Sequence, residues 1–277
     1  MQTFKHSKAI KAYLEGLKTW TSIGFVPTMG ALHKGHTALI DRSVRENDLT
    51  ICSIFVNPLQ FNRIEDLDSY PDRMQADCEM LIEHHCDILF NPRKEDIYED
   101  EARLDYDFGS IGVGMEAEYR PGHFQGVAEV IHRFFNILKP SRAYFGEKDY
   151  QQLAIIRWLV DKYGHDVEVV PCETIRDKSG LAMSSRNYNL SAEQYQQASE
   201  IYEVLQFCRN HDKNIPPIEL AEQCFEKLKQ NFKPEYFTIA DQYTMKPLNS
   251  WDDSDMPRAF VAAYCGDVRL IDNIAIK

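Results

Sequence analysis

Continuously apolar runs alternate with segments of helical periodicity through the first two-thirds of the chain, and this alternation restricts the fold more than any other feature. The runs at 23–26 and 49–56 lack the in–out pattern of a strand with one wet face. They suit strands buried on both sides, as in a parallel sheet covered by helices. A helix is predicted over 72–85 and a strand over 88–90, ended by Asn91 and Pro92. Val127, Val130, Ile131, Phe134, Phe135 and Leu138 recur at helical spacing until Pro140 terminates them. Ala143, Tyr144 and Phe145 then read as a strand stopping at Gly146, followed by a helix over 152–163 and a strand over 167–170. After Leu190 the pattern changes. Ser191 and Gln194 make a capping box for one helix to about Cys208, and 210–217 reads as a linker. A helix over 218–229 and strand-like runs at 236–240, 260–264 and 268–271 complete a small α+β domain. The expected fold is therefore α/β, a doubly wound parallel sheet over 1–174 with a smaller C-terminal domain over 175–277.

Bulk properties remove several function classes. A net charge of −12 over 277 residues disfavours a general nucleic-acid binder, which needs clustered Lys and Arg, but leaves a local basic pocket for a small anion open. The seven cysteines are scattered and set mostly among apolar residues, as reduced core residues of a cytoplasmic protein would be. Residues 1–6 lead into a polar amphipathic stretch with no signal-like apolar region, and no apolar run reaches membrane-spanning length. The expected location is the cytoplasm, with no membrane or nucleic-acid partner.

Several polar constellations fall directly after predicted strands, where open parallel sheets collect their ligands. Met29, Gly30, Ala31, Leu32, His33, Lys34, Gly35 and His36 bridge the first run to a helical stretch beginning near Thr37. His33 and His36 are three apart, so in a first helical turn both imidazoles face one side, beside backbone N–H groups that attract anions such as a nucleotide phosphate. Alone, the pair also fits two half-buried histidines beside a turn. A zinc site is disfavoured because helical zinc ligands stand four apart with a glutamate between and no third ligand lies nearby, so no metal-ligand set is assigned. Asn57 and Gln60 would bring neutral amides to the same sheet edge, suited to a hydroxylated substrate. Gly146, Glu147, Lys148, Asp149, Gln151 and Gln152 place a cation, a carboxylate and amides in one turn, although a solvated loop has the same composition. Met183, Ser184, Ser185 and Arg186 offer hydroxyls and a guanidinium to a polyphosphate. Residues 120–126, preceded by Gly109, Gly112 and Gly114, read as a mobile cover.

Taken in order, the stretches 27–36, 55–61, 66–71, 120–126, 145–152 and 181–187 resemble the pantothenate synthetase family, the ATP-consuming pantoate–β-alanine ligases. The His-x-Gly-His element by itself is shared with the wider nucleotidylyl transferase and class I aminoacyl-tRNA synthetase superfamily, so the resemblance implies a Rossmann-like sheet. It implies that residues 29–36 bind ATP with His36 as proton donor, and that Gln60 and Gln152 hold pantoate, Gln60 also close to where β-alanine enters; Asn57, read from its place at the sheet edge, is assigned to the substrate beside them. Gly146, Glu147, Lys148 and Asp149 would meet ribose and phosphate, Met183, Ser184, Ser185 and Arg186 would form a mobile phosphate-binding segment, and the backbone of Ile175 would read adenine. The implied reaction is condensation of pantoate with β-alanine through a pantoyl adenylate, releasing AMP and pyrophosphate with Mg²⁺ present, in a homodimer serving coenzyme A biosynthesis.

The chain departs from the family pattern at Ser179, where an aspartate is expected; this alters loop stability without touching chemistry. The C-terminal third resembles the family weakly except at 269–273. A carboxylate must be activated before an amine can displace its oxygen, and the adenylate route needs no protein nucleophile, only positioning and charge stabilisation by His33, His36 and Lys148. Three other readings remain: a transferase that leaves the adenylyl group on its product, a non-catalytic nucleotide-binding module, and a tRNA-charging enzyme. The last is disfavoured by the acidic balance.

Overall fold

The computed structural model describes residues 1–61, 67, 70–98, 104–211 and 214–276. Asp66, Asp68 and Ser69 of the 66–71 stretch, and Asp212 and Lys213 of the expected linker, lie outside the described residues. The chain forms two compact units. One comprises Met1–Asp107, Arg120–Glu147 and Gln152–Glu173; the other comprises Phe108–Tyr119, Lys148–Gln151 and Thr174–Lys277.

The first unit is built on β1 (Gln2–Phe4), α1 (Ser7–Glu15), β2 (Ile23–Thr28), α2 (Lys34–Glu46), β3 (Leu49–Ile54), α3 (Met74–Glu83), β4 (Ile88–Phe90), α4 (His123–Leu138), β5 (Arg142–Gly146), most of α5 (Tyr150–Tyr163) and β6 (Glu168–Cys172). Its six strands run in the order β1-β4-β3-β2-β5-β6, all pairs parallel. This is the doubly wound sheet expected from the apolar runs. Side chains alternate across it with period two. On one face Phe25, Phe55 and Phe90 surround Phe134 of α4 in edge-on contacts of 5.4, 6.1 and 5.9 Å. On the other, Val26, Cys52 and Leu89 pack with Ile40 of α2 and Leu81 of α3.

Strand order reverses at β2, which has β3 on one side and β5 on the other, and open α/β sheets bind ligands beyond the strand carboxyl ends at such a switch point. The pairing of β2 is uneven there. β2 pairs with β3 from Ile23 to Thr28 but with β5 only at Gly24 and Phe25. Pro27 has no N–H with which to extend a ladder.

Two expectations need correction here. The edge strand β1 was not expected, because Gln2 and Thr3 are polar and exposed; an edge strand needs no apolar run when only one side is paired. Residues 120–126 do not form a mobile cover. From His123 onward they are the first turn of α4, where His123, Phe124 and Gly126 are buried.

The second unit contains α6 (Ala192–Ala198), α7 (Glu200–Arg209), α8 (Pro217–Leu228) and the antiparallel strands β7 (Lys233–Asp241), β8 (Pro257–Cys265) and β9 (Val268–Ala275), in that order in the sheet. The capping box of Ser191 and Gln194 is present. The single helix expected from 191 to 208 is instead two, broken at Ser199, whose hydroxyl donates to the Gln196 carbonyl at 2.8 Å and competes with the helical ladder. Ile201, Leu205, Leu220, Cys224 and Leu228 cover one sheet face through Phe237, Ile239 and Val261. All seven cysteines are free thiols, and no helix among the described residues is long and apolar enough to cross a membrane.

Candidate active site

In the first unit, the segment after β2 turns sharply. Gly30 and Ala31 both take positive φ, 85° and 49°, where glycine is unstrained and alanine is not. Asp77 of α3 holds this turn: its two carboxylate oxygens accept from the N–H groups of Ala31 and Leu32, each at 2.8 Å. Burial raises the Asp77 pKa, opposed by those two hydrogen bonds.

The turn delivers His33 to the N-cap of α2, where its Nδ1 accepts from the Gly35 N–H at 3.1 Å. With Nδ1 accepting, neutral His33 carries its proton on Nε2. The His33 and His36 rings lie with centroids 4.0 Å apart and planes 33° apart, so the shared side expected from their spacing is realised. His33 is buried, His36 half-buried and Lys34 exposed.

Beyond β3, the neighbour of β2, Asn57 caps a short turn (Pro58–Gln60). Both amides are buried, Asn57 to 1% exposure and Gln60 to 8%. Asn57 Nδ2 donates to the Gly126 carbonyl at 3.0 Å, and Tyr98 donates its hydroxyl to Asn57 Oδ1 at 2.9 Å. The Gln60 amide donates to Met29 Sδ, which joins this turn to the segment after β2. His123 Nδ1–H donates to the Gln60 carbonyl at 2.8 Å, while its Nε2 accepts from Arg120 at 3.0 Å. Gly146 ends β5, the other neighbour of β2, and Gln152 lies half-buried in α5.

In the second unit, Lys148, Ser184, Arg186, Tyr202, Arg269 and Asp272 line one cleft. Lys148 lies in a short turn (Glu147–Asp149), its ammonium 3.8 Å from Asp149. Ser184 caps the turn Ser185–Asn189 by accepting from the Arg186 N–H at 3.3 Å. Met183 N–H donates to the Ile175 carbonyl at 2.9 Å, so the residue implied to read adenine begins the hairpin that carries the serines. At the hairpin tip, Asp177 accepts from both the N–H and the hydroxyl of Ser179, at 2.8 and 2.6 Å, and from Tyr195 at 2.7 Å. Burial works to raise its pKa, but these hydrogen bonds outweigh burial and hold it below the usual aspartate value. Ser179, where an aspartate was expected, thus supplies a donor that an ionised aspartate could not.

The two adjacent glutamines separate in role. Gln151, at 3% exposure, accepts from the Glu116 N–H and donates to the carbonyls of Ile111 and Gly114, so it holds the 108–119 segment within its own unit. Sequence reasoning missed Asp77, Tyr98 and His123. Only Asp77 had a signal: it stands one turn before the core residue Leu81, a carboxylate on an inward helix face.

A doubly wound parallel sheet with a paired-histidine turn at its switch point, joined in the same chain to a cleft whose lining includes Lys148, Arg186 and Ser184, places the protein in the α/β class with its candidate ligand groups at strand ends. Comparison with known proteins narrows the class. The model of the pantoate-beta-alanine ligase family matches residues 2–275. The chain is 46% identical over 257 residues to pantothenate synthetase of Azobacteroides pseudotrichonymphae, covering 91% of each, and 42% identical over 286 residues to that of Christiangramia forsetii, covering 100% of each. The crystal structure of pantothenate synthetase from Thermus thermophilus superposes with a TM-score of 0.91 at 40% identity, covering 99% of both chains. A pantoate-beta-alanine ligase from Francisella tularensis, crystallised with beta-gamma ATP and beta-alanine, gives 0.83 at 38% identity, covering 99% of this chain and 97% of the other. The chain belongs to the pantoate–β-alanine ligase family, a family of enzymes.

Proposed function

We propose that this enzyme joins pantoate to β-alanine through a pantoyl adenylate, releasing pyrophosphate and then AMP. The observation that carries the reading is the His33–His36 pair, its rings 4.0 Å apart at the head of α2 beyond the switch-point strand, in a chain whose Francisella relative was crystallised with an ATP compound and β-alanine.

The pantoate carboxylate attacks the α-phosphorus of ATP, and the bond to the bridging oxygen of pyrophosphate breaks. His33, His36 and Lys148 stabilise charge on the phosphates, with His36 as proton donor to the departing group; Ser184, Ser185 and Arg186 receive pyrophosphate. The β-alanine amine then attacks the acyl carbon of the mixed anhydride and AMP leaves. Gln60 and Gln152 hold pantoate beside Asn57, the segment 29–36 and the turn at Gly146, Glu147 and Asp149 bind ATP, and the Ile175 backbone reads adenine. Residues 1–174 serve ATP and pantoate, and 175–277 carry the phosphate-receiving hairpin. Mg²⁺ enters on the triphosphate as part of the substrate, as this ion commonly does. The same reading makes the protein a cytoplasmic homodimer feeding coenzyme A synthesis.

Labelled pyrophosphate should exchange into ATP when pantoate is present and β-alanine omitted, and free AMP should form in step with pantothenate. An adenylyl group retained on the product would refute the reading. Replacing His36 by alanine should lower turnover by about 10²–10³-fold with little change in melting temperature.

A further inference from the structure

Two consecutive residues of β9, Asp272 and Asn273, are buried to 6% and 3% exposure, and their partners lie in the two segments that bring Lys148 and Ser184 to the cleft of the second unit. Asp272 takes both ends of the Arg176 guanidinium, at 2.5 Å from Nη1 and 2.9 Å from Nη2. Arg176 Nη1 also donates to the Gly180 carbonyl at 3.1 Å, and the guanidinium lies over the Tyr202 ring, 4.0 Å from its centroid. Arg176 and Ala182 form the antiparallel bridge that closes the hairpin immediately before Met183, Ser184, Ser185 and Arg186. Asp272 therefore fixes the base of the serine-bearing hairpin.

Asn273 does the corresponding thing for the other segment. Its Nδ2 donates to the backbone carbonyl of Lys148 at 2.8 Å, while its Oδ1 accepts from Arg258 Nη1 at 2.5 Å. Arg258 is held in turn over the Tyr150 ring, 3.8 Å from its centroid. Arg176 Nη2 reaches the Asn273 carbonyl at 3.4 Å, so the two clamps also meet each other.

We propose that Asp272 and Asn273 are a positioning pair that sets the distance between Lys148 and the Ser184–Ser185–Arg186 hydroxyls and guanidinium, and hence the grip on the ATP triphosphate. This rests on the phosphate-binding role given above to those residues. The physical reason is that hydrogen bonds to phosphate oxygens hold only within a few tenths of an ångström of their best length, so a shift of about 1 Å in one segment loses its bonds to a triphosphate still held by the other. A single rigid strand that holds both segments through adjacent side chains removes that freedom.

The test is Asp272→Asn and Asn273→Ala, each checked for folding by circular dichroism and melting temperature. ATP affinity is measured by calorimetry, and KM is measured for ATP and for β-alanine. Asp272→Asn is informative because its sign discriminates. Deleting a negative charge from a phosphate-binding cleft tightens ATP on electrostatic grounds alone, whereas loosening the hairpin weakens it. The expected result is about tenfold weaker ATP binding in each folded variant, the size of one to two lost hydrogen bonds, with KM for β-alanine within about twofold of wild type. A folded Asp272→Asn that binds ATP as well as or better than wild type overturns the proposal. So does an Asn273→Ala that loses turnover with both KM values unchanged. Failure of the underlying phosphate reading is told apart by Lys148→Ala and Arg186→Ala, which would then leave ATP affinity at the wild-type value, whereas a sound reading makes both weaken it.

Discussion

Asp77 shows what a single buried side chain does for the histidine turn. Burial raises its pKa despite the two N–H groups it accepts. With a folded value above the unfolded one of about 3.9, the folded state holds the extra proton between the two. Its contribution to stability is therefore present at low pH and lost as pH rises through the folded pKa, and near neutrality the ionised group costs folding free energy. What the carboxylate supplies instead is geometry: two acceptors for a turn whose Gly30 and Ala31 both sit at positive φ. Asp77→Asn keeps the size and one acceptor. The N–H left unpaired costs about 1–3 kcal/mol, offset by removal of a buried charge. The melting temperature should change little while turnover falls about tenfold. Denaturation at successive pH values rising from the ordinary aspartate value of about 3.9 should show wild type losing ground to the variant as pH rises. Undiminished turnover would refute the role. His33 and His36 were readable because helical spacing brings three-apart residues together; the inward place of Asp77 was signalled by Leu81 one turn on, but its role was not, because its partners are brought to it only by the packing of α3 against the turn.

Elements were more legible than their junctions. The runs that became β2 and β3, and the periodic stretch that became α4, each carry their burial in their own composition, so local pattern and tertiary environment agree. Residues 120–126 misled because Gly122 and Gly126 look like loop glycines. Gly122 does take a positive φ of 81° before α4, but Gly126 is a contact glycine inside it. A Cβ there would stand 2.3 Å from the Leu59 carbonyl oxygen and 2.4 Å from its carbon, both backbone atoms of the turn that presents Gln60. Close approach of helix and turn is what lets Asn57 reach the Gly126 carbonyl and His123 the Gln60 carbonyl. Gly126→Ala must push the two apart, with an expected loss of about 1–3 kcal/mol. Because the displaced turn ends in Gln60, KM for pantoate should rise about tenfold while KM for ATP stays within about twofold. Steady-state kinetics with each substrate varied separately checks this, and a rise confined to ATP would contradict it.

At the scale of the whole molecule, the second unit is discontinuous in sequence, taking in Phe108–Tyr119 and Lys148–Gln151 as well as everything from Thr174 onward. No periodicity announces such a unit, since residues 108–119 have neither a strand's apolar run nor a long helix. An ionic cluster centred on the buried Glu116 ties them in. Arg269 of β9 donates to both oxygens of Glu116, at 2.8 and 2.7 Å, and to Glu235 at 2.7 Å, while Tyr236 donates to Glu116 at 2.8 Å. Burial opposes the charge on Arg269, but Glu116 and Glu235 outweigh it and push its pKa up, so it stays charged. Such a cluster is worth little beside an apolar replacement, yet removing one member leaves a buried charge without its counter-ion, typically a loss of about 3–5 kcal/mol. Arg269→Ala should therefore lower stability by that amount and expose 108–119 to limited proteolysis, with cleavage near Tyr119. Arg269→Met combined with Glu116→Gln removes both charges and should recover much of the loss. Arg269 also lines the cleft with Lys148, so activity would not separate the two effects, whereas urea denaturation and the proteolytic pattern do. If Arg269→Ala unfolds at the wild-type urea concentration and resists cleavage near Tyr119, the cluster is not what holds the inserted segment, and Gln151, with its bonds to Ile111, Gly114 and Glu116, becomes the side chain that does.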